Sequence, residues 1–296
     1  MRGRARHSAG LALARTLALR LTRVRTLTPG QALTLALAWG PAGALAAGND
    51  VLGTVTAALP RCDYEVVRTL PHRADAFTQG LALADGLLYE GTGRYGRSTL
   101  SLLDPSSGRA LRERPLARGF FGEGVAVLGD RVYQLTWREG TGFVYDRESL
   151  EPVGSFRYPG EGWGLTHDGR RLLMSDGSSE VRFLDPGRLE ETGRVTVRAR
   201  GRPVAALNEL EYARGEVLAN VWQSDVLLRV DPEDGTVLGW IDLAPLRARE
   251  GRLPEEAVPN GIAFDPVSGE LTVTGKLWSR LYVLRARGPG CGPLAR

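Results

Sequence analysis

Soft metal ligands are scarce in this chain of 296 residues, which has only two cysteines and three histidines. That supply all but excludes a Cys/His zinc site of the ordinary kind. Lysine is scarcer still: the 38 basic residues are 37 arginines and a single lysine, Lys276. There is no Gly-x-Ser-x-Gly elbow, no phosphate-cradling P-loop and no His-Glu-x-x-His. These absences remove the usual signatures of α/β hydrolases, nucleotide-binding folds and zinc proteases. No stretch sustains a helical period. A basic block is missing too, once the charge is divided. Residues 1–46 hold seven arginines and no acid, whereas 47–296 hold 31 basic and 34 acidic residues, a net −3. The basic balance belongs to the N-terminus, and nothing in the remainder suits a nucleic-acid partner.

What is present supports a large core, since 43% of residues are hydrophobic and 24% charged. The N-terminal segment reads as an export signal. Arg2 to Arg25 is positive, Gln31 to Ala47 is apolar, and Ala44-Leu45-Ala46 fits a small-x-small cleavage site. An uncleaved membrane anchor or a disordered extension is the alternative. The reading therefore divides the chain into a signal or anchor (1–46), a linker (47–62), a catalytic propeller domain (63–288) and a C-terminal tail (289–296).

From Tyr64 to Arg287 short alternating apolar runs are separated by turns such as Ala84-Asp85-Gly86 and His167-Asp168-Gly169. With 38 glycines and 17 prolines as punctuation, this is an all-β pattern. Five segments repeat: Gln79-Gly80-Leu81, Glu123-Gly124-Val125, Trp163-Gly164-Leu165, Asn208-Glu209-Leu210 and Asn260-Gly261-Ile262. They are spaced 44, 40, 45 and 52 residues apart. Each opens a strand that turns tightly into a second. The second strands are expected to lead into acidic turns at Asp104, Asp146, Asp185 and Asp231, read as structural caps. A period in the forties with four strands per unit predicts a five-bladed β-propeller. The fifth unit has room for three strands, so the run Tyr64–Leu70 is expected to supply its outer strand and close the ring. Closure removes exposed sheet edges. It would also bring Cys62 and Cys291 to one rim as a disulfide, with two free thiols in fraying termini as the alternative.

The repeat register locates a site. The residue opening each first strand is paired with the residue leaving each second strand: Gln79/Gly93, Glu123/Trp137, Trp163/Gly177, Asn208/Trp222 and Asn260/Lys276. Antiparallel pairing should set all ten around one mouth of the channel. Individually each has a bland reading. A Trp at a strand end usually packs, Asn and Gln often cap turns, and a lone Glu is usually solvated. Together they form a set of one carboxylate, one ammonium, three carboxamides, three indoles and two glycines, which strand ends do not usually collect. Trp240 is read as a packing residue, and Trp278 as either rim or packing. His72 and His167, in turns, are expected at the surface.

Seven motifs in order then carry a resemblance. They are Phe77-Thr78-Gln79-Gly80-Leu81, Phe121-Gly122-Glu123-Gly124, Gln134-Leu135-Thr136-Trp137, Glu161-Gly162-Trp163-Gly164-Leu165-Thr166, Leu207-Asn208-Glu209-Leu210-Glu211, Asn220-Val221-Trp222-Gln223 and Thr274-Gly275-Lys276-Leu277-Trp278. The chain from Tyr64 to Arg287 resembles the glutamine cyclotransferases, the plant and bacterial type of glutaminyl-peptide cyclotransferase. Two small departures, Gly91 and Pro259, lie outside the implied site. The resemblance implies conversion of N-terminal glutamine to pyroglutamate with release of ammonia. It implies Glu123, Lys276, Asn208 and Gln79 as catalytic residues, and Phe77, Phe121, Trp137, Trp163 and Trp222 as substrate-binding residues. No metal or other cofactor is expected. Partners are peptides or proteins with N-terminal glutamine, the protein is expected to be a monomer, and its location is periplasmic or secreted. A non-catalytic propeller that recognises peptide N-termini is the rival reading. A sugar-acting propeller would need two or three facing carboxylates, and the ring holds one.

Overall fold

The computed structural model describes residues 55–295 together with Leu52 and Gly53. The expected export segment and its cleavage site lie outside the described residues.

Five antiparallel units follow one another along the chain. The first contains β2 (Thr78–Ala84), β3 (Leu87–Thr92), β4 (Thr99–Leu103) and β5 (Ala110–Pro115). The second contains β6 (Gly122–Leu128), β7 (Arg131–Thr136), β8 (Thr141–Asp146) and β9 (Pro152–Arg157). The third contains β10 (Leu165–His167), β11 (Leu172–Ser175), β12 (Glu180–Leu184) and β13 (Glu191–Thr196). A two-stranded hairpin, β14 (Arg198–Ala199) and β15 (Arg202–Pro203), leads to the fourth unit. That unit is β16 (Leu207–Ala213), β17 (Glu216–Val221), β18 (Val226–Val230) and β19 (Val237–Asp242). A short helix, α1 (Ala244–Arg249), precedes β20 (Pro259–Phe264), β21 (Leu271–Gly275) and β22 (Arg280–Arg287) of the fifth. The first strands of successive units pack side by side, and β20 packs on β2, so the ring closes. This is the five-bladed propeller that the repeats predict.

The closing strand is β1 (Arg61–Pro71), antiparallel to β22 from Asp63/Arg287 to Pro71/Arg280. It is longer than Tyr64–Leu70 and does one thing the pattern did not suggest. Its first two residues run parallel to β19, pairing Arg61 with Trp240 and Cys62 with Ile241. The fourth and fifth blades thus share one eight-stranded sheet. Cys62 and Cys291 are disulfide-bonded, and both are buried. Cys291 sits in a 3-10 segment, Pro289–Ala295, rather than in a frayed tail. Beneath it, Arg229 donates to both carboxylate oxygens of Glu216 at 2.8 and 2.7 Å and to the Gly290 carbonyl.

Two further expectations are corrected, and the open reading of Trp278 is decided. The turns at Asp104, Asp146, Asp185 and Asp231 follow the third strand of each blade, not the second. They do act as caps: Asp104 accepts from the Ser106 N–H at 2.9 Å, and Asp185 from the Arg188 N–H at 2.7 Å. His72 is not at the surface. It is 9% exposed because its ring ties β1 to two neighbours, meeting Glu90 at 2.8 Å and the Trp278 carbonyl at 2.8 Å. Trp278 is fully buried and packs edge-on against Tyr282, so it is core and not rim.

Candidate active site

Each inner strand carries a bulge at the repeated motif, and that bulge builds the site. In the first blade Thr78 pairs with Thr92 and Gly80 with Gly91, leaving Gln79 as the extra residue. The same two-against-one step falls at Glu123-Gly124, Asn208-Glu209 and Asn260-Gly261. In the third blade Trp163 and Gly164 both bond to Ser175, through Trp163 N–H to Ser175 O and Ser175 N–H to Gly164 O, each 3.0 Å. A bulge re-aims a side chain that regular pleating would direct elsewhere. The pairing expected from the spacing is therefore shifted. Gly93 bonds to Phe77, Trp137 to Phe121, Trp222 to Ala206 and Lys276 to Val258. The predicted partners sit two residues further along, on the bulges.

The glycine after each bulged residue has a steric reason. A Cβ on Gly80 would collide with the Val125 nitrogen, one on Gly124 with Leu165, and one on Gly164 with the Asn208 carbonyl. Neighbouring inner strands touch there, and the Gly124 N–H crosses to the Trp163 carbonyl at 2.7 Å. The fourth blade breaks the pattern with Glu209. Its Oε1 accepts from the Leu81 N–H at 3.2 Å, across the channel.

At the mouth the bulges place Gln79, Glu123, Asn208 and Asn260 in one buried layer, with Lys276 on the turn after β21. Gln79 Nε2 donates to Glu123 Oε1 at 3.0 Å. Asn260 Nδ2 donates to the Thr78 carbonyl at 3.0 Å and to Gln79 Oε1 at 3.3 Å. Asn208 Oδ1 is buried without a partner among the described residues. Burial pushes the Glu123 carboxyl well above its ordinary value, with help from Glu161 and Glu139; the Lys276 charge opposes it. Burial lowers the Lys276 ammonium to about 8, against the pull of Glu123 and Glu256.

Aromatic rings wall this layer. Phe77 meets Phe121 edge-on at 6.3 Å between ring centres, Phe121 meets Trp137 at 5.5 Å, and Trp163 meets Trp222 edge-on at 5.8 Å. Such contacts fix ring planes as well as excluding water. Lys276 Nζ lies 5.0 Å from the Phe77 ring centre. The two glycines of the predicted ring serve these walls: a Cβ on Gly93 would strike Phe121, and one on Gly177 would strike Trp163.

One residue escaped the sequence reading. Glu161 Oε2 accepts from the Trp137 indole at 2.7 Å and from the Trp163 indole at 2.9 Å, while its Oε1 takes Arg138 Nε at 3.1 Å. The Arg138 guanidinium in turn lies 3.7 Å over the Trp137 ring. A single carboxylate thus orients two of the three indoles. Its only signal in sequence was its place two residues before Trp163. Arg94 also joins the rim, paired to Glu256 at 2.5 Å and 4.5 Å from the Phe77 ring centre. Among the described residues no group of three or more His, Cys, Asp or Glu is arranged to hold a metal ion.

Comparison with known proteins decides the family. The glutamine cyclotransferase model matches residues 35–286. The chain belongs to the glutamine cyclotransferase family. A curated relative, the glutaminyl-peptide cyclotransferase of Arabidopsis thaliana, is 43% identical over 230 residues, 76% of this chain and 72% of that protein. The crystal structure of Myxococcus xanthus glutaminyl cyclase superposes with a TM-score of 0.73 at 40% identity, covering 77% of this chain and 98% of the other. The residues that the family resemblance implied for the site fall in or within two residues of the inner two strands of each blade, at the mouth ends.

Proposed function

We propose that this protein is a glutaminyl-peptide cyclotransferase, turning N-terminal glutamine of peptides or proteins into pyroglutamate and releasing ammonia. The observation that carries the reading is the buried carboxylate of the mouth layer, Glu123, held by a carboxamide beside the chain's only lysine and enclosed by indole and phenyl rings.

The reaction joins the substrate α-nitrogen to its own side-chain carbonyl carbon and breaks the bond from that carbon to the amide nitrogen. The nucleophile is already tethered, so the entropic barrier is small once the chain is folded back on itself. The walls formed by Phe77, Phe121, Trp137, Trp163 and Trp222 favour that compact conformer and keep out the water that would hydrolyse the amide to glutamate. Glu123 takes a proton from the attacking nitrogen and passes it to the departing one, which leaves as ammonia. Its raised proton affinity suits both halves of that transfer. Lys276 and Asn208 face the oxygen on which negative charge develops. A metal supplies nothing in this scheme, so activity should survive a chelator.

Export to an oxidising compartment, periplasmic or extracellular, completes the reading. It rests on the basic-then-apolar N-terminus and on a disulfide at the propeller seam. The protein acts as a monomer in this scheme, since one chain supplies the whole ring. The deciding experiment is ammonia release from a Gln-initiated peptide, with Glu123→Gln as the control. Binding of such peptides by the wild type without ammonia release would instead establish a recognition propeller.

A further inference from the structure

Asn260 is the polar member of the mouth layer that the family resemblance does not implicate and the chemistry above does not use. It is wholly buried and sits on the bulge of β20. Gly261 after it has φ +113°, a conformation that L side chains rarely adopt, and its N–H reaches Asn220 Oδ1 at 3.3 Å. The backbone after Asn260 is thus tied to the fourth blade, while the Asn260 side chain reaches across to the first.

Hydrogen-bond polarity around it is determined in sequence, starting from a group that cannot change. The Thr78 carbonyl is only an acceptor, so the Asn260 amide must turn Nδ2 towards it, as it does at 3.0 Å. The second N–H of Nδ2 then meets Gln79, which must present Oε1, as it does at 3.3 Å. With its oxygen so committed, Gln79 has Nε2 left for Glu123 Oε1, at 3.0 Å. Reversing either amide would set acceptor against acceptor. We propose that Asn260 is a positioning residue which, through Gln79, keeps Glu123 Oε1 occupied and leaves Oε2 as the oxygen that moves the proton. The inference deepens the cyclotransferase reading and rests on it for its kinetic consequence.

Glu123 is faced by the Gln79 amide, the Lys276 ammonium, the carboxylates of Glu161 and Glu139, and the Tyr95 and Tyr158 phenols. A hydrogen bond donated to Oε1 favours the ionised form. Removing it raises the proton affinity of Glu123, so the acid limb of kcat/KM moves to higher pH. One hydrogen bond to a charged group corresponds to roughly one pH unit of that limb.

The test is a double-mutant cycle of Asn260→Ala and Gln79→Met, read by pH profiles of kcat/KM and by infrared titration of the Glu123 carboxyl, assigned with Glu123→Gln. Each single variant should move the acid limb and the carboxyl titration up by roughly one pH unit. The double variant should move them no further, because both changes break one chain of bonds. Asn260→Asp, near in shape but without the N–H donors, should behave like Asn260→Ala or worse. Unmoved profiles in the folded single variants, or shifts that add in the double variant, would overturn the proposal. If Asn260→Ala fails to fold, Asn260→Asp with Gln79→Met runs the same cycle. Should the wild type release no ammonia, the cyclotransferase reading fails by itself. The infrared titration still decides whether Asn260 governs Glu123.

Discussion

Two carboxylates, Glu123 and Glu209, occupy near-equivalent places in different blades and come to opposite uses. Both lie on inner-strand bulges, both are buried, and both hold their protons well above the ordinary carboxylate range because of that burial. Glu123 is the first residue of its bulge and faces a mouth lined by an ammonium, carboxamides and rings. Glu209 is the second, at the position where the other four blades have glycine, and its carboxylate reaches the inner strand of the first blade. It accepts N–H bonds from Leu81 and Ile262, and Glu211 lies two residues further down the same strand. The difference teaches that burial alone does not make a catalytic carboxylate. A movable proton also needs a neighbouring charge and an open side, and Glu209 has backbone partners instead.

The largest effect should come from breaking the mouth side of the comparison. Glu123→Gln keeps the shape and removes the proton carrier. We expect kcat to fall by about 10²–10⁴ with the fold intact. Near-normal ammonia release would defeat the proton-transfer role. Lys276 comes next. With its ammonium lowered to about 8, the base limb of kcat/KM should fall near that pH. Lys276→Met should abolish the limb and also push the acid limb up, since the cation that favours ionised Glu123 is gone. Lys276→Arg is the finer probe, because a guanidinium fork is not a compact ammonium. Full activity in that variant would mean that the solitary lysine has no special role.

Glu161 tests whether the walls need a fixed orientation. In Glu161→Leu both indoles lose their acceptor, and we expect KM to rise about tenfold while kcat falls less. Loss of its charge should also move the acid limb to lower pH, because Glu161 raises the proton affinity of Glu123. An unchanged KM and unchanged tryptophan emission would show that aromatic packing alone sets the indoles.

The legible and illegible parts of this molecule divide along the same lines. Blade number, ring closure and the ring of candidate site positions were readable because Gln79-Gly80, Glu123-Gly124, Trp163-Gly164 and Asn260-Gly261 recur at blade spacing, and steric contact between inner strands enforces the glycine. The register was not readable. A bulge inserts a residue without altering the 14-residue step from Gln79 to Gly93, so the pattern looks the same with Gln79 or Phe77 opposite Gly93. His72 and Glu161 were hidden for another reason. Their partners, Glu90 on β3 and the Trp137 indole just after β7, are 18 and 24 residues away along the chain, and a turn residue read alone carries no sign of them. The parallel start of β1 against β19 involves two residue pairs, too few to leave a sequence pattern.

The smallest expected effect concerns Glu209 and Glu211, and it appears in stability rather than turnover. Burial raises the Glu211 carboxyl to about 8, and Glu209 moves in the same direction. The native state therefore keeps protons on these groups that the unfolded chain gives up near pH 4.5. Their contribution to stability is complete below that pH and is lost as pH rises through the native value. Thermal stability should accordingly decline between about pH 5 and pH 8. Glu209→Gln and Glu211→Gln mimic the protonated forms and should flatten that decline. We expect each to raise Tm at pH 8 by about 2–4 °C, equivalent to roughly 1 kcal/mol in a domain of this size. At pH 5 the change should vanish. The cyclisation rate should stay near wild type, because neither side chain belongs to the mouth layer. A large loss of turnover in Glu209→Gln with an unchanged Tm profile would break the comparison, since it would make the channel carboxylate part of the chemistry.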